Sequence, residues 1–330
     1  MSRSGPPPPG STPPSTTWSA SCETCRTRPI ARASFFRPGT VEGATVTSVL
    51  KRSAHAVSFA AGRLTTEARV LPSFLIAGAQ RCGTTSLYRA LSRHPLVMKP
   101  VLRKGVHYFD MAYDRGLPWY RAHFPLVTTA RALGRRHGGR VQAFESTPYY
   151  LFHPLAGARI AADLPGVKLI VLVRDPVERA CSAHAHELAR GYETEPSFER
   201  AVELEPLRLA GEIERLRDVP GYVSAAHRHH AYLARGRYAE QLARLEPLLG
   251  RDRILVLDSG RMFDDPGSAY DRVLEFLDLP RIGGVEFARH NARPRTGVVP
   301  ESVRRRLIEH FEPWDALLVR WLGADPSWRR

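Results

Sequence analysis

The sequence predicts an α/β fold: a three-layer sandwich in which a central, mainly parallel sheet is flanked by helices. Short apolar runs suited to buried strands alternate along the chain with segments of helical spacing, which is typical of βαβ units. In addition, the first apolar run passes through a glycine-containing turn directly into a helical segment. A parallel sheet gathers such turns at the carboxyl ends of its strands, so we expect the functional residues there.

Four segments predict strands, and the sheet is expected to hold four or five. The run at 167–173 is the strongest, because it is almost continuously apolar and rich in β-branched residues. Helical spacing predicts the elements between the strands, and the helix after the third run starts with Pro176 at its first position, where no donor is lost. The predicted strands are 73–79, 141–145, 167–173 and 253–258. The predicted helices are 84–93, 176–190, most of 197–248, 266–278 and 300–323.

The composition divides the chain of 330 residues into three parts. Residues 1–45 are rich in Pro, Ser, Thr and Arg and have too little apolar surface to offset the entropy of ordering, so we predict a disordered tail. We predict that residues 46–70 form a linker or a weak amphipathic helix. We predict that residues 71–325 form the folded domain.

The charge balance indicates an anionic ligand. Lysine and arginine outnumber aspartate and glutamate by 48 to 33, which gives a net charge of +15. A positive field attracts nucleic acid, anionic lipid or ligands with phosphate and sulfate groups. The arginines are scattered and form no dense stripe, which argues against a nucleic-acid partner.

Three further features bear on location and metal content. No apolar run is long enough for a transmembrane helix, and the N-terminus begins with a proline run where a secretory signal would have an apolar core. We therefore expect a cytoplasmic protein without a transmembrane segment. The histidines at 227–230 lack a carboxylate or cysteine partner in sequence, so we interpret them as a solvated helix face and expect no metal.

The segment from Gly78 to Ser86 predicts a phosphate cradle. It reads Gly-Ala-Gln-Arg-Cys-Gly-Thr-Thr-Ser between a predicted strand and a predicted helix. Glycines let backbone amides face a ligand, a helix start adds unpaired N–H groups and a positive dipole end, and the three hydroxyls can donate to anionic oxygens. The structural alternative is a tight turn with capping hydroxyls. The expected ligand-binding residues are Gln80, Arg81, Cys82, Gly83, Thr84, Thr85 and Ser86.

A phosphoryl-transfer P-loop enzyme is the first competing interpretation. Its loop needs Gly-x4-Gly-Lys-[Ser/Thr], and here Thr84 occupies the lysine position while the cation comes earlier, at Arg81. After the strongest predicted strand, Asp175 stands behind Arg174 and does not end the strand directly, as a magnesium-binding aspartate would.

A second motif, Arg174-Asp175-Pro176 followed by Ser182, comes directly after the strongest strand. A guanidinium fork together with a hydroxyl suits a terminal phosphate. Alone, such an arginine commonly forms a surface ion pair, and such a serine is commonly a helix residue without a role in binding. Both motifs in this order, about 90 residues apart, are more specific than either one.

Together these motifs resemble the sulfotransferases that use 3′-phosphoadenosine 5′-phosphosulfate (PAPS). The family's loop reads approximately Gly-x-x-Lys-x-Gly-Thr-[Thr/Ser], and its second element is Arg-[Asp/Asn]-Pro with a serine eight residues after the arginine. The segments 94–95, 104–110, 116–120, 145–150 and 236–238 resemble the branch with heparan-type and related bacterial members. The resemblance covers about 71–325.

The resemblance implies a P-loop-like sandwich and PAPS as the sulfuryl donor, without a metal. It implies that the loop holds the 5′-phosphosulfate and that Arg174 and Ser182 hold the 3′-phosphate. A basic loop with Arg293 and Arg295 would close over the nucleotide. The acceptor would be a hydroxyl or amine of a carbohydrate, a glycolipid or a small natural product.

Two positions depart from the family pattern. Arg81 replaces the loop lysine; it keeps a cation beside the leaving phosphate but cannot donate a proton, since its pKa is far too high. Gly105 replaces the glutamate general base of heparan-type members. His107 and Glu145 are the candidate replacements, although His107 could be hydrogen-bonded within its loop and Glu145 could be a buried partner of an arginine. A catalytically degenerate nucleotide-binding module is therefore a third interpretation.

Overall fold

The computed structural model describes residues 62–282 and 300–329. In these ranges five strands form one sheet with the spatial order β2-β3-β1-β4-β5, and every neighbouring pair is parallel. The predicted α/β fold with a parallel sheet is confirmed. The strands are β1 (Phe74–Gly78), β2 (Val97–Met98), β3 (Gln142–Ser146), β4 (Lys168–Val173) and β5 (Ile254–Asp258).

Thirteen α-helices lie wholly within the described ranges, and those predicted after β1 and β4 begin where the sequence placed them. The helix after β4 begins at Pro176, and the Asp175 carboxylate accepts hydrogen bonds from the Val177 and Glu178 amides, a regular N-cap. The helices are α1 (Thr84–Leu91), α2 (Tyr108–Met111), α3 (Gly116–Arg121), α4 (Val127–His137), α5 (Ala156–Asp163), α6 (Pro176–Ala189), α7 (Phe198–Leu209), α8 (Glu212–Asp218), α9 (Ala225–His229), α10 (Tyr238–Leu249), α11 (Ser259–Asp264), α12 (Pro266–Phe276) and α13 (Glu301–Leu322).

The core lies around the central strands. The β1 and β4 residues are buried except Lys168 at the start of β4, and the rings of Phe74 and Phe144 stack at 4.8 Å between β1 and β3. Strands covered on both faces read as continuous apolar runs, which is why the sequence pattern marked them. Helices contribute buried side chains to the same core; among them are Leu87, Leu91, Leu242, Leu245, Val273, Leu274 and Leu318.

The strand order positions the site. β1 lies between β3 and β4, so the chain segments that follow these three strands leave the same edge of the sheet side by side. The order changes direction at β1, and such a switch point opens a crevice at the carboxyl ends of the strands. The segments that leave it begin at Ala79, Thr147 and Arg174.

Ordered packing begins before residue 71. A 3-10 helix spans Thr66–Ala68, and the Arg121 Nε donates to the Arg69 carbonyl oxygen over 2.7 Å. The predicted tail at 1–45 and most of the segment at 46–70 lie outside the described residues. Within the described ranges, no helix has both the length and the apolar character that a membrane span requires.

Candidate active site

The loop between β1 and α1 folds as a tight cradle. Gly83 has φ +85° at the start of α1, and a Cβ there would lie 3.2 Å from side-chain atoms of Ser259, Met262 and Phe263. Arg81 also has a positive φ, 68°. At position 83, where the space is so limited, only glycine adopts a positive φ without strain. The loop joins the carboxyl end of β1 to the start of α1, so it lies at the carboxyl edge of the sheet.

The two sequence motifs meet at this loop. The Arg81 Nε donates to the Ser182 Oγ over 3.0 Å, and Arg174 donates to the Arg81 carbonyl oxygen over 3.5 Å. Arg174 also forms an ion pair with Glu178 at 3.5 Å. Two guanidinium groups and a hydroxyl therefore lie together, although about 90 residues separate their motifs.

Cys82 fills the loop from inside. Its side chain is fully buried, and its sulfur lies 3.6 Å from the hydroxyl of Tyr238, which donates to the Arg174 carbonyl oxygen. Burial raises the pKa of the Cys82 thiol. A buried, protonated thiol is inert, so the position of Cys82 favours a loop-filling role over direct contact of its thiol with the ligand.

Gln80 is braced by buried polar groups. Its amide nitrogen donates to Glu187 over 3.2 Å, and its oxygen accepts a hydrogen bond from Arg235. The Arg235 guanidinium lies over the rings of Tyr149 and Phe152, at 4.8 and 5.1 Å. Burial lowers the pKa of Arg235 to about 10. These contacts fix the start of the loop against the elements that follow β3 and β4.

Lys104 is a site residue that the motif analysis did not single out. Its ammonium donates to the Thr85 hydroxyl over 2.9 Å and to the Thr84 hydroxyl over 3.3 Å. Burial, with a smaller contribution from Arg89, lowers its pKa to about 8. A cation thus reaches the first turn of α1 from a segment 20 residues away.

Gly105 lets its segment approach the end of β3. A Cβ at this position would lie 2.6 Å from the Ser146 carbonyl oxygen and 2.6 Å from the Thr147 Oγ1. The Ser146 amide also donates to the Lys104 carbonyl oxygen over 3.0 Å. A glutamate at position 105 would not fit without a shift of the backbone.

His107 is paired with a carboxylate. Its Nδ1 lies 2.7 Å from the Asp110 Oδ2, and the imidazole is 37% exposed while the Asp110 side chain is fully buried. His107 also has φ 58° and precedes α2. A fixed carboxylate orients an imidazole, so His107 is positioned to accept a proton.

Glu145 is fully buried in a cage of donors. Its Oε1 accepts from the hydroxyls of Tyr120 and Tyr150 at 3.0 and 2.7 Å, and its Oε2 accepts from Thr147 and the Val106 amide at 2.7 and 2.6 Å. Burial raises its pKa. Since both oxygens are occupied, this geometry favours an anchor for the 104–107 segment over a proton acceptor. The partners of Glu145 are three hydroxyls and a backbone amide, whereas the alternative considered from the sequence was a buried ion pair with an arginine.

The histidines after α8 are largely buried, so their interpretation as a solvated helix face is wrong for two of them. His227 is 1% exposed, its Nδ1 lies 2.7 Å from the Tyr149 hydroxyl, and burial lowers its pKa to about 2. The His229 Nδ1 lies 2.9 Å from the Glu187 Oε2, and its ring stacks on Tyr192 at 4.1 Å. The sequence pattern did not indicate these partners: Tyr149 follows β3, Glu187 lies on α6 and Tyr192 lies in the loop after α6.

A comparison with family models matches the sulfotransferase domain over residues 71–289. The chain belongs to the sulfotransferase family. The human heparan sulfate glucosamine 3-O-sulfotransferase 6 is 30% identical over 287 residues, 79% of this chain and 74% of that protein. The mouse heparan sulfate glucosamine 3-O-sulfotransferase 3B1 is 33% identical over 284 residues, 78% and 65% respectively.

A solved structure carries the same fold. The crystal structure of a sulfotransferase from Alicyclobacillus acidocaldarius is 29% identical with a TM-score of 0.54, and the match covers 79% of this chain and 100% of that one. The P-loop-like sandwich and the sulfotransferase activity expected from the sequence are confirmed, and no finding favours a phosphoryl-transfer enzyme.

The sulfotransferase concentrates positive charge in the part of the chain that forms the cradle. Residues 68–144 contain thirteen lysines and arginines but only two carboxylates, Asp110 and Asp114. This stretch includes β1, α1 and the segment with Lys104.

Among the described residues, no three histidine, cysteine, aspartate or glutamate side chains form a group that could hold a metal ion. Arg293 and Arg295 lie outside the described residues.

Proposed function

We propose that this sulfotransferase moves a sulfuryl group from PAPS to a hydroxyl or amine of a carbohydrate acceptor. One observation carries the donor assignment: the cradle after β1 and the Arg174 motif after β4 meet at one edge of the sheet through the contact between Arg81 and Ser182. Two separate groups of anion-binding side chains suit a nucleotide with phosphate groups at two positions.

The residues present fit such a donor. The loop amides, the hydroxyls of Thr84 to Ser86 and the Arg81 cation would hold the 5′-phosphosulfate, and Arg174 with Ser182 would hold the 3′-phosphate. Gln80 and Cys82 keep the loop in shape through their buried contacts. When bound, PAPS would supply a sulfuryl group on a phosphate leaving group, so the protein needs cations and donors around it.

His107 is our proposed proton acceptor. Asp110 holds its Nδ1 at 2.7 Å, and the ring keeps an exposed surface through which the acceptor can approach. His229, paired with Glu187 next to Gln80, is the second candidate. It is less accessible, with a side chain 12% exposed against 37% for His107.

A carbohydrate acceptor is supported by the relatives, which are named as heparan sulfate glucosamine sulfotransferases. The excess of cations in residues 68–144 suits an acceptor that itself carries carboxylates or sulfates. Glycolipids and small phenolic natural products are the other acceptor classes, and an acceptor panel separates the three.

Calorimetry with 3′-phosphoadenosine 5′-phosphate (PAP), in EDTA, tests the donor site. We expect the chain to bind PAP more tightly than 5′-AMP, and this preference to be lost in Arg174→Ala. A preference for ATP with magnesium in a separate titration without EDTA, or equal binding of PAP and 5′-AMP by the unaltered chain, would contradict the proposal.

A further inference from the structure

The Lys104 side chain is positioned by the sheet. Its backbone carbonyl oxygen accepts from the Ser146 amide at the end of β3, and the next residue, Gly105, lies so close to β3 that a Cβ would overlap the Ser146 oxygen. Val106 is tied to the buried Glu145 by a hydrogen bond of 2.6 Å. The lysine therefore projects from a fixed stretch of backbone.

The surroundings of the Lys104 ammonium contain donors and cations. Its polar contacts are the hydroxyls of Thr84 and Thr85 in the first turn of α1, the Tyr88 ring lies 5.7 Å away, and Arg89 adds a second positive charge. Among the described ion pairs, none joins Lys104 to a carboxylate within 4.0 Å. A half-buried cation at a helix start favours the binding of an anion. The ammonium has lost part of its hydration, and an anion would replace that lost stabilisation.

The family's loop lysine is replaced by Arg81, and the Arg81 Nε is directed to Ser182. Lys104 reaches the opposite end of the loop, at Thr84 and Thr85. The two cations thus lie at different places around one cradle. Arg81 comes from the loop itself and lies at Ser182, whereas the cation at Thr84 and Thr85 is a lysine from outside the loop.

We propose that Lys104 is the second cation of the donor loop and supplies the ammonium that the loop sequence lacks. This inference rests on the proposed function. When the acceptor oxygen bonds to sulfur and the bond from sulfur to the bridging oxygen breaks, the electron pair stays on that oxygen. Lys104 remains protonated and stabilises this charge by a hydrogen bond, and the acceptor proton goes to His107.

If Lys104 acts in this way, the affinity of the chain for PAP should depend on pH. Because the pKa of Lys104 is about 8, the ammonium form predominates at pH 7 and the neutral amine at pH 9. Burial raises the pKa of Cys82 and of Tyr88, arginine side chains in general do not titrate in this range, and the second pKa of a phosphate is near 6. Affinity for PAP should therefore fall about tenfold from pH 7 to pH 9 if only the protonated lysine binds.

Calorimetric titration of the full chain with PAP at pH 7 and pH 9 tests this. We expect Lys104→Met to bind about tenfold more weakly than the unaltered chain at pH 7, with little change at pH 9. Lys104→Arg should bind well at both pH values, because its charge does not titrate. Lys99→Met is the matched control: Lys99 is exposed, lies five residues earlier, and should behave like the unaltered chain.

Lysine labelling gives an independent readout. The chain has only four lysines, so trace acetylation followed by peptide mass spectrometry reports Lys104 and Lys99 separately. PAP should protect Lys104 and leave Lys99 unchanged. If PAP binds the unaltered chain and folded Lys104→Met equally at pH 7, and Lys104 is not protected, the inference is overturned while the donor assignment stands. If the unaltered chain does not bind PAP, the proposed function itself fails.

Discussion

Replacing Arg174 with alanine should remove the discrimination between a nucleotide with a 3′-phosphate and one without it. The guanidinium leaves the end of β4 and reaches the Arg81 carbonyl oxygen at 3.5 Å, beside Ser182. A charge-assisted hydrogen bond contributes about 1.5–3 kcal/mol. The loss corresponds to roughly 10- to 150-fold weaker binding of PAP.

The structure allows this loss to be separated from unfolding. The Arg174 side chain is 37% exposed, and its ion pair with Glu178 is long, at 3.5 Å. Exposed pairs of this kind contribute about 0–1 kcal/mol to stability, so the melting temperature should change little. Arg200→Ala is the matched control, because Arg200 forms a similar exposed pair with Glu203 on α7.

The assay is calorimetric titration of both variants with PAP and with 5′-AMP. We expect Arg174→Ala to bind 5′-AMP as the unaltered chain does and to bind PAP no better than 5′-AMP. Arg200→Ala should keep the preference for PAP. If Arg174→Ala keeps the preference, the 3′-phosphate is held elsewhere and the assignment of this motif is wrong.

Three further substitutions test the rest of the site. Gly105→Glu should lower the free energy of unfolding by about 1–3 kcal/mol through overpacking against Ser146, as measured by denaturant titration, and full activity with unchanged stability would show that the segment can move. His107→Ala should lower kcat about 10²- to 10⁴-fold while PAP binding is unchanged, and a loss confined to His229→Ala would assign the base to that residue instead. Glu145→Ala should lower the free energy of unfolding by about 2–4 kcal/mol, because four buried donors lose their acceptor; a stable, inactive variant would favour a direct catalytic role.

Local patterns in the sequence were enough to predict most of the sheet and the donor loop. The strands β1, β4 and β5 are largely buried on both faces and so appear as apolar runs, and a glycine at φ +85° is required by the turn into α1. β2 was missed because its two residues are too few to show a period.

The sequence could not show which polar groups meet in space. Lys104 contacts Thr84 and Thr85 only because the chain passes through β2 and returns to the end of β3. Likewise, Glu187 and His229 lie 42 residues apart and meet through the packing of α6 and α9. Glu145 was a plausible base in sequence, and its four donors are visible only in the folded chain.

Sulfuryl transfer itself tests the central claim most directly. The full chain would be incubated with PAPS in EDTA and an acceptor panel of heparan-type oligosaccharides, glycolipids and phenols, and the products analysed by mass spectrometry. We predict that one sulfate is added to the oligosaccharide and that Arg174→Ala loses this product. No sulfated product from any acceptor, or phosphorylated product from ATP and magnesium, would contradict the account.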